Sequence, residues 1–137
     1  MCVLRVSGKR FDPHTFLSQS GLQAEQVFLA GTVRNPPRLG RYADSGFTLG
    51  VSPASSMTLQ SQIPDAMRFL LQHQTALRCL TPAIGVDDMR LDFQLALRID
   101  GDRLSQSDYL PPDLLALAGA LGLGIEMSIY ATIPDTV

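Results

Sequence analysis

The chain has 137 residues, enough for one domain with a hydrophobic core of its own, and we predict a single domain over residues 1–137. Apolar residues make up 45% of the chain and charged residues 18%, which excludes an intrinsically disordered protein. The formal net charge is −2, so no global positive field attracts nucleic acid or an acidic membrane. We therefore expect no nucleic acid and no membrane among its partners.

The cysteines and the first residues indicate a compartment. Cys2 and Cys79 are far apart in sequence, and the opening MCVLRVSGKRF lacks the basic head and apolar run of a secretory signal. No window approaches the run of about eighteen apolar residues that a membrane span needs. We expect two reduced thiols in a cytoplasmic protein.

The first third of the chain alternates strands with one short helix. Asp12 can cap free N–H groups and Pro13 fits a first helical turn, so a helix begins there, and Gly21 ends it. The patterns predict a strand over 2–7, that helix, a second strand over 26–33, and a third strand in which Phe47, Leu49 and Val51 alternate with Thr48 and Gly50.

The middle of the chain predicts its longest helix. Ile63-Pro64-Asp65 reads as the helix start, and Thr81-Pro82 ends the helix after about Leu80. Its apolar stripe consists of Met67, Leu70, Leu71, Gln74, Leu77 and Leu80.

Residues 89–99 give the clearest strand. Five alternating apolar residues, Leu91, Phe93, Leu95, Leu97 and Ile99, share one face, while Asp92, Gln94 and Arg98 share the other. Strict alternation predicts one face packed on helices and one face in water. Asp100-Gly101 then predicts a hairpin-type turn.

The chain closes with a helix from Pro112 to Gly122 and a strand over 124–131. This strand–helix–strand order echoes residues 2–33, which suggests an internal duplication. Each half would lay its helix on one face of the sheet. The predicted fold is α+β, a two-layer sandwich in which a mixed sheet of about five strands is covered by three helices.

The reactive side chains are sparse. His14 and His73 have no carboxylate or cysteine at ligand spacing, and His73 and Cys79 would point to different faces of one helix. Asp100 and Asp102 are too few for a calcium loop, and Asp87-Asp88 reads as a solvated pair. For Asp92 and Arg98 we expect cross-strand ion pairs. The glycines of GALGLG close a helix instead of opening one, so they form no dinucleotide loop. We predict no metal and no cofactor.

One local charge feature is the segment RNPPRLGRY, with Arg34, Arg38, Arg41 and Tyr42 and no acid among them. Arginine forks favour carboxylates and phosphates, and proline stiffens the loop that presents them. One hypothesis is that this loop contacts an acidic partner surface or a phosphate-bearing ligand. The alternative is a solvated basic loop that covers a sheet edge.

Three stretches resemble the domain-of-unknown-function family 4279. They are VLRVSG followed by Phe11-Asp12-Pro13 and Gly21-Leu22, then Ser45-Gly46-Phe47-Thr48-Leu49, and then Leu110 to Tyr130. The family usually has a tryptophan at the position of Phe47. The resemblance implies a small bacterial cytosolic α+β protein and implies no established activity or catalytic residue.

These observations lead to a non-catalytic protein-interaction module as the first functional hypothesis. Some small bacterial proteins of this general kind are immunity factors against toxins, and that analogy suggests one such role. The alternative is an enzyme or small-ligand-binding protein whose pocket is assembled from residues distant in sequence. We expect a protein partner, and a monomer or a homodimer that uses the exposed edge of the sheet.

Overall fold

The computed structural model describes residues 1–55 and 58–131. Within them, no helix is both long and apolar enough to cross a bilayer. The elements, in chain order, are β1 (Cys2–Gly8), α1 (Pro13–Ser20), β2 (Gln26–Phe28), β3 (Ser45–Ser52), α2 (Leu59–Gln72), α3 (Gln74–Arg78), β4 (Asp88–Ala96), α4 (Pro112–Ala120) and β5 (Gly124–Tyr130).

The five strands form one mixed sheet in the order β2-β3-β1-β4-β5. Strand β1 lies at the centre and pairs antiparallel with β3 and with β4, while β2 pairs antiparallel with β3. Of the strand pairs that the structure describes, the pair formed by β4 and β5 alone is parallel. The first four strands with α1 and α2 therefore follow the β-α-β-β-α-β order of a split βαβ unit, to which α4 and β5 are added.

The helices cover one face of this sheet, as the alternation predicts. A single apolar cluster joins sheet residues to Phe16 of α1, Leu70 of α2, Leu77 of α3 and Leu114 of α4. The sheet residues of this cluster are Cys2, Leu4, Val6, Phe47, Leu49, Met89, Leu91, Phe93 and Leu95. The α+β two-layer sandwich is confirmed, and this side of the sheet is named the covered face.

The short caps behave as predicted. The Asp12 carboxylate accepts a hydrogen bond from the Thr15 amide at 3.2 Å, and this bond and that of the Thr15 hydroxyl lower the pKa of Asp12. Gly21 and Gly122 have φ angles of 74° and 75°, the left-handed geometry that ends a helix.

The long helix starts earlier than predicted and is broken. It begins at Leu59, so Pro64 lies inside α2. The additional turn is held by tertiary contacts: Leu59 is fully buried, and the buried Gln62 amide donates to the carbonyls of Ser55 and Gln94. These contacts offset the backbone hydrogen bond that proline cannot make. His73 separates α2 from α3. Leu71, predicted to belong to the apolar stripe, is 54% exposed, so this part of the prediction is wrong.

Strands β2 and β4 end several residues earlier in the structure than the sequence predicts. Strand β2 ends at Phe28, and residues 31–42 form an irregular hairpin extension instead. Strand β4 ends at Ala96, so Leu97 and Ile99 lie beyond the sheet and are 42% and 49% exposed.

The segment after β4 turns without forming a strand hairpin. Asp100 accepts hydrogen bonds from the amides of Asp102 and Arg103, which confirms the turn. No strand lies between β4 and α4, so this turn does not connect two strands. The segment is held instead by Arg98, which donates to Asp108 at 2.6 Å. Burial raises the pKa of Asp108, but hydrogen bonds from Arg98 and Gln106 outweigh it and lower that pKa.

The two strand–helix–strand halves differ in how their strands pair. In the second half, β4 and β5 are parallel neighbours. In the first half, β3 lies between β1 and β2. The repeated strand–helix–strand order is therefore present. The two strands of a half are neighbours in the second half and are separated by β3 in the first half.

Candidate functional site

The other side of the sheet, named the polar face, carries charged and hydroxyl side chains. Its residues include Arg5, Ser7, Gln26, Phe28, Thr48, Arg90, Asp92, Glu126 and Ser128, which alternate with those of the covered face. All four helices contribute to the apolar cluster on the covered face. The polar side chains of the opposite face are therefore not covered by these helices and are available to a ligand.

Asp92 is the most buried charge on this face. Its carboxylate accepts hydrogen bonds from the Arg5 guanidinium at 3.0 Å and from the Ser128 hydroxyl at 2.6 Å. Asp92 was predicted to lie in water, but it is only 2% exposed. The predicted cross-strand ion pair is confirmed for Asp92, whose partner Arg5 is on β1, whereas Arg98 bonds a residue outside any strand. A buried carboxylate needs such partners, because leaving it unpaired is costly.

A second charged group lies beside β5. Arg90 on β4 bonds Asp88 and, across the strand pair, Glu126, each at 2.8 Å. The two carboxylates raise the pKa of the Arg90 guanidinium. These side chains are about two-fifths exposed, so the arrangement is a solvated network of low individual strength. Asp87 accepts the Lys9 amide hydrogen instead of joining this network.

An aromatic stack organises the β2–β3 side of the polar face. Phe28 lies opposite Gly46, where any side chain would clash with the Val6 carbonyl and approach the Phe28 ring at 2.8 Å. The Phe28 ring stacks on Tyr42 with centroids 4.8 Å apart, and the Arg34 guanidinium lies 5.2 Å from the Tyr42 ring centre. Because Gly46 has no side chain, the Phe28 ring can stack on Tyr42, and Arg34 lies against the Tyr42 ring.

Backbone hydrogen bonds fix the basic loop in place. Gly31 donates to the carbonyl of Tyr42 at 2.8 Å, Tyr42 donates back to Thr32 at 3.0 Å, and Arg34 donates to Gly40 at 2.8 Å. The Arg41 guanidinium also donates to the Gly31 carbonyl at 2.6 Å. The segment predicted as a loop is therefore a hydrogen-bonded hairpin that extends from β2 and β3.

A concave cavity of about 400 Å³ lies between this hairpin and the polar face. Its lining residues are Arg5, Ser7, Gln26, Phe28, Arg34, Tyr42, Ala43, Asp44 and Thr48. Arg5 is already paired with Asp92, and the two other charged residues of the lining are Arg34 and Asp44, which form no ion pair with each other. The Arg34 guanidinium is the group of this lining that can bind a hydrogen-bond acceptor with negative charge.

The structure brings together two of the four predicted site residues. Arg34 and Tyr42 line the cavity, whereas Arg41 bonds the hairpin backbone and Arg38 is exposed near the hairpin tip. Sequence reasoning missed Arg5, Gln26 and Thr48, which come from three different strands. Only the strand order places these residues together, and no local pattern encodes that order.

A second cavity lies between α1 and α3. It is also about 400 Å³ in volume and is lined by Phe16, Gln19, Ser20, Gln72, His73, Thr75, Ala76 and Cys79. His73 and Cys79 thus share a cavity, contrary to the prediction, because the helix breaks at His73. They form no nucleophile–base hydrogen bond: the His73 ring packs on Phe69, and the Cys79 thiol donates to the Thr75 carbonyl.

The other cysteine is part of the core. Cys2 is fully buried on the covered face, and burial raises the pKa of its thiol to about 12. Within residues 1–55 and 58–131, no cluster of three or more potential ligands is arranged to hold a metal ion.

The topology and the polar face define a small α+β domain with a split βαβ unit and one open sheet face. The chain belongs to a family described as a domain of unknown function (DUF4279), whose family model matches residues 1–132. This confirms the predicted resemblance over nearly the whole chain. No curated protein and no solved structure matches it significantly.

Proposed function

We propose that the protein is a non-catalytic interaction module that binds an acidic segment of a protein partner at the polar face. The observation that supports this most strongly is the position of Arg34, which lines the cavity, lies against Tyr42, and has no carboxylate within ion-pair distance in the described part of the chain. A held guanidinium without an internal partner keeps its donors for an external one.

The way Arg34 is held supports a binding role. Its backbone is fixed by the hydrogen bond to Gly40, and its guanidinium lies against the Tyr42 ring. Tyr42 is itself held by Phe28 and by a hydrogen bond from Gln26 at 3.2 Å. An arginine held in this manner loses less conformational entropy on binding than a free surface side chain.

The hydroxyl groups of the cavity support a non-catalytic role. In the described residues, no hydrogen bond joins the hydroxyls of Ser7, Tyr42 or Thr48 to a carboxylate or a histidine. An ordinary hydroxyl without such a base is a weak nucleophile. These groups are suited to donating and accepting hydrogen bonds at a binding site.

The partner class and compartment are part of the proposal. The free thiols of Cys2 and Cys79 suit the reducing bacterial cytoplasm. An immunity factor that covers an acidic surface of a toxin would be one module of this kind.

A small anionic ligand is the second candidate. The cavity of about 400 Å³ falls within the range of about 300–1,000 Å³ typical of small-molecule sites. Native mass spectrometry of protein purified from its own cells distinguishes the two candidates. A bound mass of metabolite size favours the small ligand, whereas a co-purified polypeptide favours the interaction module.

The proposal is tested with a purified partner obtained by co-purification from the native cell. Isothermal titration of this partner with wild type, Arg34→Ala, Arg34→Lys and Arg38→Ala measures the dissociation constants. We expect Arg34→Ala to weaken binding by about 10- to 100-fold, since a hydrogen bond to a charged group is worth about 1.5–3 kcal/mol. Arg34→Lys retains part of the affinity because it keeps the charge but loses the planar fork.

Arg38→Ala is the matched control, because it removes the same side chain from the same hairpin without altering the cavity lining. It should change the dissociation constant by less than about threefold. Equal binding by wild type and Arg34→Ala would overturn the proposal.

A further inference from the structure

Strand β5 forms an unprotected edge of the sheet. It is seven residues long, Gly124–Tyr130, and within residues 1–55 and 58–131 no strand pairs with its outer side. The opposite edge, β2, is only three residues long and continues into the hydrogen-bonded hairpin. Long apolar edges invite pairing with another chain, and proteins usually blunt them with lysine, proline or bulges. Strand β5 contains neither lysine nor proline.

The direction of the β5 backbone groups defines what this edge can bind. The Leu97 amide donates to the Tyr130 carbonyl at 2.8 Å, so the backbone of Tyr130 faces β4. Backbone groups alternate along a strand. The N–H and C=O groups of Ile125, Met127 and Ile129 therefore point outward, away from β4.

The same three residues carry the apolar side chains of the strand. Met127 and Ile129 are 36% and 51% exposed, whereas Ile125 packs against the core cluster. Donors, acceptors and apolar side chains are thus presented together along one edge.

We propose that the outer edge of β5 pairs antiparallel with β5 of a second copy of this chain, with Met127 opposite Met127 on the twofold axis. Ile125 then lies opposite Ile129 of the second copy, and Glu126 lies opposite Ser128. Each outward-pointing residue exchanges both of its backbone hydrogen bonds with the residue opposite.

Charge and overlap select this register. Strand β5 has its midpoint at Met127, so this register pairs the whole of Gly124–Tyr130. A register centred on Glu126 would place two carboxylates directly opposite each other, which is destabilising. A register centred on Ser128 would leave both Gly124 and Ile125 without a partner in the strand. The strand is therefore complementary to itself in one register, which commits the edge to a second copy.

The pairing has a consequence for the polar face. The twofold axis of such an antiparallel pair is perpendicular to the sheet, so both polar faces lie on the same side of a continuous sheet. The two cavities that contain Arg34 then face the same direction and can bind a partner that presents two acidic segments. The inference itself rests on the sheet edge and is independent of the proposed function.

The test is the mass of the full chain in solution, measured by multi-angle light scattering under reducing conditions that exclude a Cys79 cross-link. Wild type should have twice the mass of one chain. Met127→Lys and Met127→Glu each place like charges opposite one another on the axis, so each should raise the dimer dissociation constant on the order of tenfold or more. An equimolar mixture of the two variants should recover the dimer, because opposite charges then meet.

Leu71→Lys is the matched control, because Leu71 is an exposed apolar residue on α2 and not on β5, and the change in charge is the same. It should leave the dimer intact, and circular dichroism should show all variants folded. A wild-type mass of one chain would overturn the proposal. So would a dimer that resists Met127→Lys, or a Lys–Glu mixture that stays monomeric.

Discussion

The two faces of one sheet present different side chains from the same strands. On the covered face, Leu4, Phe47, Leu91 and Phe93 are packed under helices and are 0% exposed. On the polar face, the same strands carry Arg5, Thr48 and Arg90 at partial exposure.

The comparison teaches that core packing and the proposed binding face are separated by a single residue of alternation. A one-residue shift along a strand moves a side chain from one face to the other. Changes on the covered face should therefore alter folding, and changes around the cavity should alter binding. The ion pair of Arg5 and Asp92 is an exception, because it lies on the polar face while Asp92 is buried. A change in this pair should therefore affect folding as well.

The largest expected effect is on the covered face. Phe93→Ala removes a fully buried ring from β4 and should lower the free energy of unfolding by about 3–5 kcal/mol. Gln94→Ala, one residue along the strand and facing the other way, is the control and should change it by less than about 0.5 kcal/mol. Urea denaturation of both variants measures the difference. Similar losses for the two would break the comparison.

The next effect concerns the buried charge. Arg5→Ala leaves the Asp92 carboxylate with only the Ser128 hydroxyl and should cost about 1–3 kcal/mol of unfolding free energy. Adding Asp92→Asn should recover part of this loss, because the remaining group is neutral. The double mutant cycle by urea denaturation measures the coupling. If the two losses simply add, the pair contributes no mutual stabilisation.

The Cys2 thiol provides a pH test of the covered face. Because burial raises its pKa to about 12, the folded chain keeps a proton that the unfolded chain releases above its pKa of about 8.5. The stabilisation is complete below pH 8.5 and is lost as pH rises toward 12, with a slope of up to about 1.4 kcal/mol per pH unit. Cys2→Ala should flatten this slope in urea titrations at increasing pH. An unchanged slope would assign the alkaline loss to other groups.

The smallest effect is on the solvated part of the polar face. Glu126→Gln removes one partner of Arg90 while Asp88 remains, and should change the free energy of unfolding by less than about 0.5 kcal/mol. The difference should shrink further in high salt, because exposed charges are screened. If Glu126→Gln lowered the free energy of unfolding as much as Arg5→Ala, the exposed part of the polar face would also stabilise the fold.

The sequence predicts the parts of the fold that depend on local patterns. Alternation places Leu91, Phe93 and Leu95 on the covered face, and Asp12 and Gly21 delimit α1. It misplaces the start of α2, because the burial of Leu59 and the hydrogen bonds of Gln62 are tertiary contacts that no local pattern reveals.

The candidate site is less accessible to sequence reasoning. Arg34 and Tyr42 are identifiable because they lie in a short basic segment. Arg5 reaches the same cavity only because β3 lies between β1 and β2, and this strand order is a property of the whole sheet. The burial of Asp92 has the same origin, since its partners Arg5 and Ser128 lie on the strands to either side.

The central claim is that the polar face, and not the helix layer, recognises the partner. NMR chemical-shift mapping with the purified partner tests it most directly. The account predicts that the perturbed amides and side chains cluster at Gln26, Arg34, Tyr42 and Thr48. Perturbations centred instead on Phe16, His73 and Cys79, in the cavity between α1 and α3, would contradict it.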